Sequence, residues 1–165
     1  MDKLVLIDGH SILNRAFYGV PDLTNAEGLH TNAVYGFLNI MLKILEEEKA
    51  DHLAVAFDLP EPTFRHKMFD AYKGTRKPMP EELREQVPLI KEALTAMEIP
   101  ILTLAGYEAD DILGTVAKRC QEKALRYRLF RETGISYSWQ TAILRSVFPK
   151  PAGERQRSMI IIRKM

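Results

Sequence analysis

Three carboxylates lie close together in residues 106–114, whose sequence is GYEADDILG. Glu108, Asp110 and Asp111 stand at the expected start of a helix, between an apolar strand-like run and residues of helical periodicity. Carboxylates in a first helical turn often serve as caps or as partners of the helix dipole. They are also the ligands that a hard divalent cation prefers. These residues alone leave both roles open.

Two further acids follow short apolar runs elsewhere in the chain. Asp8 follows the run LVLI at residues 4–7, and Asp58 follows LAVAF at residues 53–57. A third apolar run, at residues 100–104, precedes the GYEADDILG stretch. Wholly apolar runs of this length are typical of strands that are covered on both faces.

Helical patterns lie between these strands. We expect one helix to begin at Thr31 as its N-cap, and another to begin at residues 80–82 and to bend or restart at Pro88. A third helix is expected after the acidic stretch, with Cys120 on its apolar face towards the core. Alternating strands and helices predict an α/β domain with a mostly parallel sheet flanked by helices.

The carboxyl ends of parallel strands meet at one edge of the sheet, where ligands bind. The sequence therefore predicts that five acids meet there: Asp8, Asp58, Glu108, Asp110 and Asp111. Crowded like charges need a positive partner, and no basic residue adjoins these acids in the sequence. We therefore expect Mg²⁺ or Mn²⁺ there, suited to the hydrolysis of a phosphodiester.

The connection at residues 60–80 is basic and aromatic and has no clear period. We expect it to be mobile or ordered by a ligand, with cations for phosphates and rings that stack on bases. A solvated surface loop is the alternative. The residues concerned are Phe64, Arg65, His66, Lys67, Phe69, Tyr72, Lys73, Arg76 and Lys77.

Composition indicates one globular domain, since 46% of the 165 residues are hydrophobic and 27% are charged. The single cysteine and the lack of a leader-like or membrane-spanning run lead us to expect a cytoplasmic protein.

The charge changes sharply along the chain: residues 1–123 carry 14 basic and 20 acidic groups, whereas residues 124–165 carry 9 basic and 2 acidic groups. Such a shift is compatible with a basic nucleic-acid tail, a domain boundary or foreign sequence.

Residues 1–123 closely resemble the start of the 5′-3′ exonuclease domain of bacterial DNA polymerase I, one of the flap-endonuclease-like (PIN-like) 5′ nucleases. The stretches that carry the resemblance are LVLIDGHSILNRAFY (4–18), VAFDLPEPTFRH (55–66), DAYKGTRKPMPEELREQVPLIKEAL (70–94) and GYEADDILGTVA (106–117). The resemblance implies the PIN-like 5′ nuclease fold. It also implies Mg²⁺-dependent hydrolysis near DNA 5′ ends, which in the cell removes RNA primers and damaged strands.

The resemblance also implies roles for individual residues. The five acids match carboxylates around the metal cluster of the family. Lys73 and Arg76 match catalytic residues near the scissile phosphate, and with Tyr72 they match the region through which the 5′ strand passes. We expect DNA contacts from Arg15, Arg65, Tyr72, Lys73, Arg76 and Lys77. The partner would be DNA with a 5′ flap, nick or single-stranded 5′ end, and the domain would be monomeric, away from membranes and normally fused to a polymerase domain.

After Lys123 the resemblance stops, so residues 1–123 are expected to be the family part and 124–165 a poorly ordered basic tail. The family continues with a strand and a Gly-Asp-Arg-Asp motif whose aspartates help to hold a second metal. If residues 131–135 are encoded CGG GAG ACC GGG ATT, the frame beginning at the third base encodes Gly-Asp-Arg-Asp. We therefore expect the tail to be a frameshift product and the family part to be truncated.

With only the first group of carboxylates, the chain is predicted to bind Mg²⁺ weakly and to have little or no nuclease activity. The alternative is a non-catalytic DNA-binding module or an inert remnant. A phosphoryl-accepting receiver-type domain would also gather acids at strand ends, but it gives no equally good explanation of the basic residues at 64–77.

Overall fold

The computed structural model describes residues 3–69, 71–74, 78–122 and 126–131. Its elements alternate between strands and helices, as the sequence predicts. In chain order they are β1 (Lys3–Asp8), α1 (Gly9–Gly19), α2 (Asn32–Glu48), β2 (His52–Ala56), α3 (Phe64–Met68), α4 (Glu81–Arg84), α5 (Gln86–Ala96), β3 (Ile101–Leu102), α6 (Ala109–Glu122) and β4 (Arg126–Phe130).

The four strands form one parallel sheet in the order β3-β2-β1-β4. Leu6 of β1 is in register with Ala54 of β2 on one side and with Leu129 of β4 on the other. The predicted α/β architecture with a parallel sheet flanked by helices is confirmed. Within the described ranges, no helix is long and apolar enough to cross a membrane.

Both faces of the central strands β1 and β2 are buried, which explains why these strands are apolar without alternation. Alternate residues of each strand enter two separate core clusters. One face packs against α1, α2 and α5, and its cluster includes Val5, Ile7, Leu53, Val55, Phe37, Met41, Ile44, Ile90 and Leu94. The other packs against α6, and its cluster includes Leu4, Leu6, Ala54, Ala56, Leu113, Val116 and Cys120.

Strand β1 passes directly into α1, and this junction leaves no room for a side chain at Gly9. A Cβ atom placed on Gly9 would lie 2.5 Å from the ring of Phe57, which is fully buried. Asp8 caps the helix, since its Oδ1 accepts a 3.0 Å hydrogen bond from the backbone N–H of Ser11. The last residue of β1 is thereby fixed at the edge of the sheet.

Gly9→Ala is expected to lower the free energy of unfolding by about 1–3 kcal/mol, because the buried Phe57 ring has to shift to admit the methyl group. Gly19→Ala in the last turn of the same helix is the matched control, since no atom lies within 4 Å of its added Cβ. Urea denaturation of the two variants makes the comparison. Equal stabilities would show that the junction tolerates a side chain.

The helix predicted at residues 80–82 is interrupted at Glu85 rather than at Pro88. Helix α4 ends at Arg84 and α5 begins at Gln86. Pro88 therefore falls in the first turn of α5, where the missing N–H has no intrahelical partner to lose. The predicted restart exists, but the proline does not cause it.

Helix α2 begins after Thr31, as predicted, but the Thr31 side chain does not cap it. The Thr31 hydroxyl donates instead to the carbonyl of Leu23 at 3.2 Å. The Oε1 atom of Gln86 accepts from the backbone N–H groups of Ala33 and Val34 at 2.8 and 3.2 Å. The cap comes from a residue distant in sequence, which a local rule cannot identify.

The connection at residues 60–80 is more regular than predicted. Residues 64–68 form the short helix α3, where Thr63 N donates to His66 Nδ1 at 3.2 Å and His66 N donates to the Thr63 carbonyl at 3.1 Å. The lack of a clear period in the sequence therefore did not indicate a helix at these five residues. The local Thr63–His66 pairing supplies the helix start that periodicity did not reveal.

Strand β4 lies beyond residue 123, where the sequence resemblance was expected to stop. It pairs with β1 along its length, and Leu129 is buried in the core cluster under α6. The sheet thus extends to residue 130, so the five residues of β4, which were assigned to the tail, belong to the fold. The expectations about residues 132–165 fall outside the described residues.

Candidate active site at the carboxyl edge of the sheet

The ends of three strands bring the acidic residues to one edge of the sheet. Asp8 is the last residue of β1, Asp58 follows β2 closely, and Glu108, Asp110 and Asp111 stand at the start of α6 after β3. Burial raises the pKa of Asp8 to about 6, and the charges of Asp110 and Asp58 add to the rise. Carboxylates from three separate parts of the chain therefore influence one another.

The carboxylates at this edge also hold the starts of two helices. Asp8 caps α1, as described above. Asp58 Oδ1 accepts a 2.6 Å hydrogen bond from the backbone N–H of Ala109, the first residue of α6. Asp111 Oδ2 accepts from the backbone N–H of Glu108 at 3.0 Å. Capping and clustering are thus compatible, because the same side chains do both.

Basic side chains stand against three of these acids. The Nη1 and Nη2 atoms of Arg65 each lie 2.7 Å from a different carboxylate oxygen of Asp111. Lys73 Nζ lies 2.8 Å from Glu108 Oε1. The Nη2 atom of Arg131, the residue after β4, lies 3.1 Å from Asp110 Oδ2. The expectation that nothing basic compensates these acids is wrong, because the cations come from distant parts of the chain.

These contacts move the pKa values of the acids in opposite directions. Burial raises the pKa of Asp110, which Arg131 only partly offsets. Burial also acts to raise the pKa of Asp111, but the hydrogen bonds from Arg65 and from the N–H of Glu108 outweigh it and hold that pKa below its usual value. Asp111 is therefore secured as an ionised carboxylate.

Glu108 is the most enclosed acid of the site, with 8% of its surface exposed. Besides Lys73, the Tyr72 hydroxyl donates to its Oε2 at 3.1 Å, and Arg65 Nη1 lies 3.5 Å from the same atom. Burial raises the pKa of Tyr72, with Glu108 as the second cause. Three side chains of the basic connection thus converge on one carboxylate.

We call residues 63–69 and 71–74 the strap, because they lie across the start of α6. A backbone hydrogen bond of 2.9 Å from Phe64 N to the Gly106 carbonyl fixes the strap to the loop before α6. The rings of Phe64 and Tyr107 pack beside each other with centroids 5.6 Å apart. Met68 and Phe69 are largely exposed, so the outer face of the strap offers apolar surface to a ligand.

The predicted site residues divide into three groups. The five acids, Arg65, Tyr72 and Lys73 lie at the edge described here. Arg15 is a half-buried residue of α1. Arg76 and Lys77 fall outside the described residues.

The sequence reasoning missed two residues of the site. Arg131 lay in the segment assigned to the tail, so no local signal marked it. His10 accepts a 3.3 Å hydrogen bond at Nδ1 from the backbone N–H of Asp58, and its ring packs edge-on against Phe57. Its position two residues after Asp8, at the turn from strand to helix, is the only sequence signal for that role.

The donor chemistry of the edge fits a hard divalent cation, since all five candidate ligands are carboxylates. The pKa of Asp8 is raised mainly by burial, and the charges of Asp110 and Asp58 raise it further despite the opposing charge of Arg131. In the described part of the chain, however, no three acidic, histidine or cysteine side chains stand close enough together to hold a metal ion as they are placed. A site with three or more of these ligands around one cation therefore requires side chains of the edge to rearrange.

The comparisons with known proteins agree with this geometry. Residues 3–131 match the family described as 5′-3′ exonuclease, N-terminal resolvase-like domain. The chain belongs to this family. The family match ends at residue 131, so it includes β4 and extends past the boundary expected from the sequence.

Two relatives show how the family domain occurs elsewhere. DNA polymerase I of Bacillus subtilis is 51% identical over 128 residues, which cover 78% of this chain and 14% of the polymerase. A 5′-3′ exonuclease of Aquifex aeolicus is 38% identical over 130 residues, covering 79% of this chain and 45% of the exonuclease. The chain thus spans less than half the length of each of these two relatives.

Solved structures share the fold. The T5 D15 flap endonuclease, in a pseudo-enzyme-product complex with DNA and metal ions, has a TM-score of 0.55 at 21% identity, covering 78% of this chain and 54% of that one. The T5 D15 protein co-crystallised with metal ions has a TM-score of 0.53 at 20% identity, covering 78% of this chain and 53% of that one. The described residues therefore adopt the PIN-like fold of these 5′ nucleases.

Proposed function

We propose that this family domain binds a divalent cation at the acidic edge and DNA 5′ ends at the strap, as part of a 5′-3′ exonuclease or flap endonuclease. One observation carries the proposal: carboxylates from three strand ends lie at one edge, and two of them, Glu108 and Asp111, contact cationic and aromatic side chains of a single connection. Hydrolysis of a phosphodiester needs both kinds of charge, because anionic ligands hold the metal and cations receive the substrate phosphate.

The carboxylates of Asp8, Asp58, Glu108 and Asp110 would hold Mg²⁺ or Mn²⁺, with Asp111 as the fifth candidate. Such a cation polarises a phosphodiester and lowers the pKa of a bound water. The two T5 structures that contain metal ions support this assignment through their shared fold. His10 and the backbone N–H groups of Ser11 and Ala109 orient the ligands at Asp58 and Asp8.

The strap would receive the single-stranded 5′ end of DNA. Among the described residues, Lys73 is the cation nearest to the buried Glu108, so its ammonium group is placed to meet a phosphate at the acidic edge. Arg76 belongs to the same proposed catalytic pair, and Arg15, Arg65, Tyr72 and Lys77 would contact DNA. Exposed Phe69 offers a ring for base stacking. The DNA-bound T5 complex supports this class of partner.

We further propose that this chain by itself binds metal weakly and has little or no nuclease activity. The proposal depends on the frameshift hypothesis, in which residues 132–165 replace a second group of aspartates. The DNA sequence of the gene tests it directly, since codons that cannot encode Gly-Asp-Arg-Asp in a neighbouring frame would exclude a frameshift. Fusion to a polymerase domain is a proposal that the polymerase relatives support. A monomeric state and a cytoplasmic location remain proposals.

DNA binding without hydrolysis is the second candidate function. It is favoured by the ion pairs of the edge, since Glu108, Asp110 and Asp111 each contact a basic side chain. A protein in which these pairs persist would bind DNA through its remaining cations and exposed aromatic rings. An inert remnant would bind neither DNA nor metal.

A labelled duplex with a 5′ flap distinguishes these functions. We expect it to bind in Mn²⁺ and to release at most a slow, Mn²⁺-dependent product that disappears in EDTA and in Asp58→Asn, whose amide can still accept from Ala109 N. Equal binding in EDTA with no product on adding Mn²⁺ would favour the binding module. Rapid cleavage that is lost in Asp58→Asn would contradict the predicted low activity.

A further inference from the structure

The strap contacts the start of α6 through ion pairs of different strength, of which those of Arg65 with Asp111 and of Lys73 with Glu108 are the shortest. Arg65 forms two hydrogen bonds of 2.7 Å with both carboxylate oxygens of Asp111. Lys73 forms one hydrogen bond of 2.8 Å with a single oxygen of Glu108. A planar guanidinium paired with both oxygens is held in one orientation, whereas a lysine ammonium is a hydrated point charge on a flexible stem.

Other contacts hold the Arg65 end of the strap. Asp111 Oδ2 also accepts from the N–H of Glu108, so both oxygens of Asp111 are engaged within the protein. The Phe64–Gly106 backbone bond lies beside this pair, and the Arg65 guanidinium lies 4.5 Å from the centroid of the Phe64 ring. A cation that took Asp111 as a ligand would have to break several bonds at once.

The Lys73 end is held less firmly. Lys73 has a φ of 58°, in the left-handed region that a residue with a Cβ seldom adopts. About a third of its side chain is exposed, so its ammonium is readily rehydrated on release. Releasing Lys73 would allow its backbone to leave this conformation and would free one oxygen of the most enclosed acid in the site.

We propose that Lys73 and a divalent cation compete for Glu108, while Arg65 keeps the other end of the strap anchored on Asp111. The inference rests on the proposed function, since it takes the cation site as given. Asp111 then serves as the anchor of the strap rather than as a metal ligand. Cation binding and the Lys73 contact oppose each other reciprocally, and the displaced ammonium becomes available to a DNA phosphate.

Mn²⁺ titration of two charge-matched variants tests the competition. Lys73→Gln and Lys67→Gln each remove one positive charge from the strap, but only Lys73 contacts a carboxylate of the edge in the structure. We expect Lys73→Gln to lower the Kd for Mn²⁺ at least threefold relative to Lys67→Gln, because it removes the competitor as well as the charge. Circular dichroism establishes that both variants fold.

Hydrogen exchange of the wild-type strap supplies an independent readout. On saturation with Mn²⁺, we expect at least threefold faster exchange at the amides of Tyr72 and Gly74. These N–H groups donate hydrogen bonds to the carbonyl groups of Phe69 and Ala71, at the Lys73 end of the strap. Exchange at Lys67 and Phe69, beside the Arg65 anchor, should not change.

Three outcomes would overturn the inference. Equal Kd values for the two variants, or weaker binding by Lys73→Gln, would show that Lys73 does not compete. Unchanged exchange at Tyr72 and Gly74 in saturating Mn²⁺ would show that the contact is not released. If neither the wild type nor any variant binds Mn²⁺, the proposed function itself fails and the inference with it.

Discussion

Replacing Asp8 by Asn is expected to raise the free energy of unfolding at pH 7 in EDTA by about 1–3 kcal/mol. The carboxylate is half-buried beside Asp58 and Asp110, and the charge of Arg131 only partly compensates it. Asn removes this charge but keeps an oxygen that can accept the hydrogen bond from Ser11 N, so the cap of α1 is retained. The gain comes mainly from removing a charge that burial disfavours, and in smaller part from relief of repulsion by Asp110 and Asp58.

The pH dependence of the Asp8→Asn effect follows from the raised pKa. Burial and neighbouring acids lift the pKa of Asp8 in the folded protein from 3.8 to about 6. Below pH 3.8 the carboxyl is protonated in both the folded and unfolded states, and the wild type bears no penalty there. Between pH 3.8 and 6 the folded protein binds more protons than the unfolded chain, so wild-type stability falls as pH rises. Above pH 6 the penalty is constant.

Urea denaturation of both proteins in EDTA from pH 4 to pH 8 measures this difference. The gap between Asp8→Asn and the wild type should open between pH 4 and 6 and then remain constant. Mn²⁺ at pH 7 should stabilise the wild type more than the variant, because a bound cation offsets the charge of Asp8. If Asp8→Asn is less stable than the wild type at pH 7 in EDTA, the ionised Asp8 carboxylate does not destabilise the folded protein.

Gln86→Met is expected to lower the free energy of unfolding by about 2–4 kcal/mol. The Gln86 side chain is fully buried, and its Oε1 accepts from the N–H groups of Ala33 and Val34. Its Nε2 donates to Asn32 Oδ1 at 3.0 Å and to the Glu82 carbonyl at 2.8 Å. Met has a similar volume, so the loss comes from the unpaired polar groups rather than from a cavity.

Thr31→Ala is the matched control, because sequence rules assign the cap of α2 to Thr31 and the structure assigns it to Gln86. Thr31→Ala removes only an exposed hydrogen bond to the Leu23 carbonyl and should change stability by less than about 0.5 kcal/mol. Thermal or urea denaturation ranks the two variants. A larger loss for Thr31→Ala than for Gln86→Met would contradict the observed capping.

Much of the fold could be predicted because it depends on local patterns. The apolar runs identified β1 and β2, since strands covered on both faces lack polar residues. The alternation with helices then predicted a parallel sheet, and the acids that follow the runs predicted its acidic edge. The position of Asp8 and Asp58 directly after an apolar run was enough to predict that both lie at this edge.

The remainder depends on contacts between distant residues, which local patterns do not encode. Gln86 caps a helix that begins more than fifty residues earlier, and Arg65 reaches Asp111 across a strand and two helices. Arg131 was missed because it follows β4, in a stretch whose sequence did not match the family pattern. The predicted excess of negative charge was also too large, because the basic residues that compensate the acids are close to them in the fold but distant in the sequence.

The most direct test of the metal assignment is the binding of Mn²⁺ to the wild type, Asp8→Asn, Asp58→Asn and the surface control Glu47→Gln. The two Asn variants can keep the helix caps while losing the charge, so a change in affinity is not a folding effect. Free Mn²⁺ is measured by electron paramagnetic resonance at pH 7. We expect weak binding by the wild type and Glu47→Gln, with at least tenfold loss in each Asn variant. Equal affinity in all four proteins, or no binding by any, would contradict a cation site at the acidic edge.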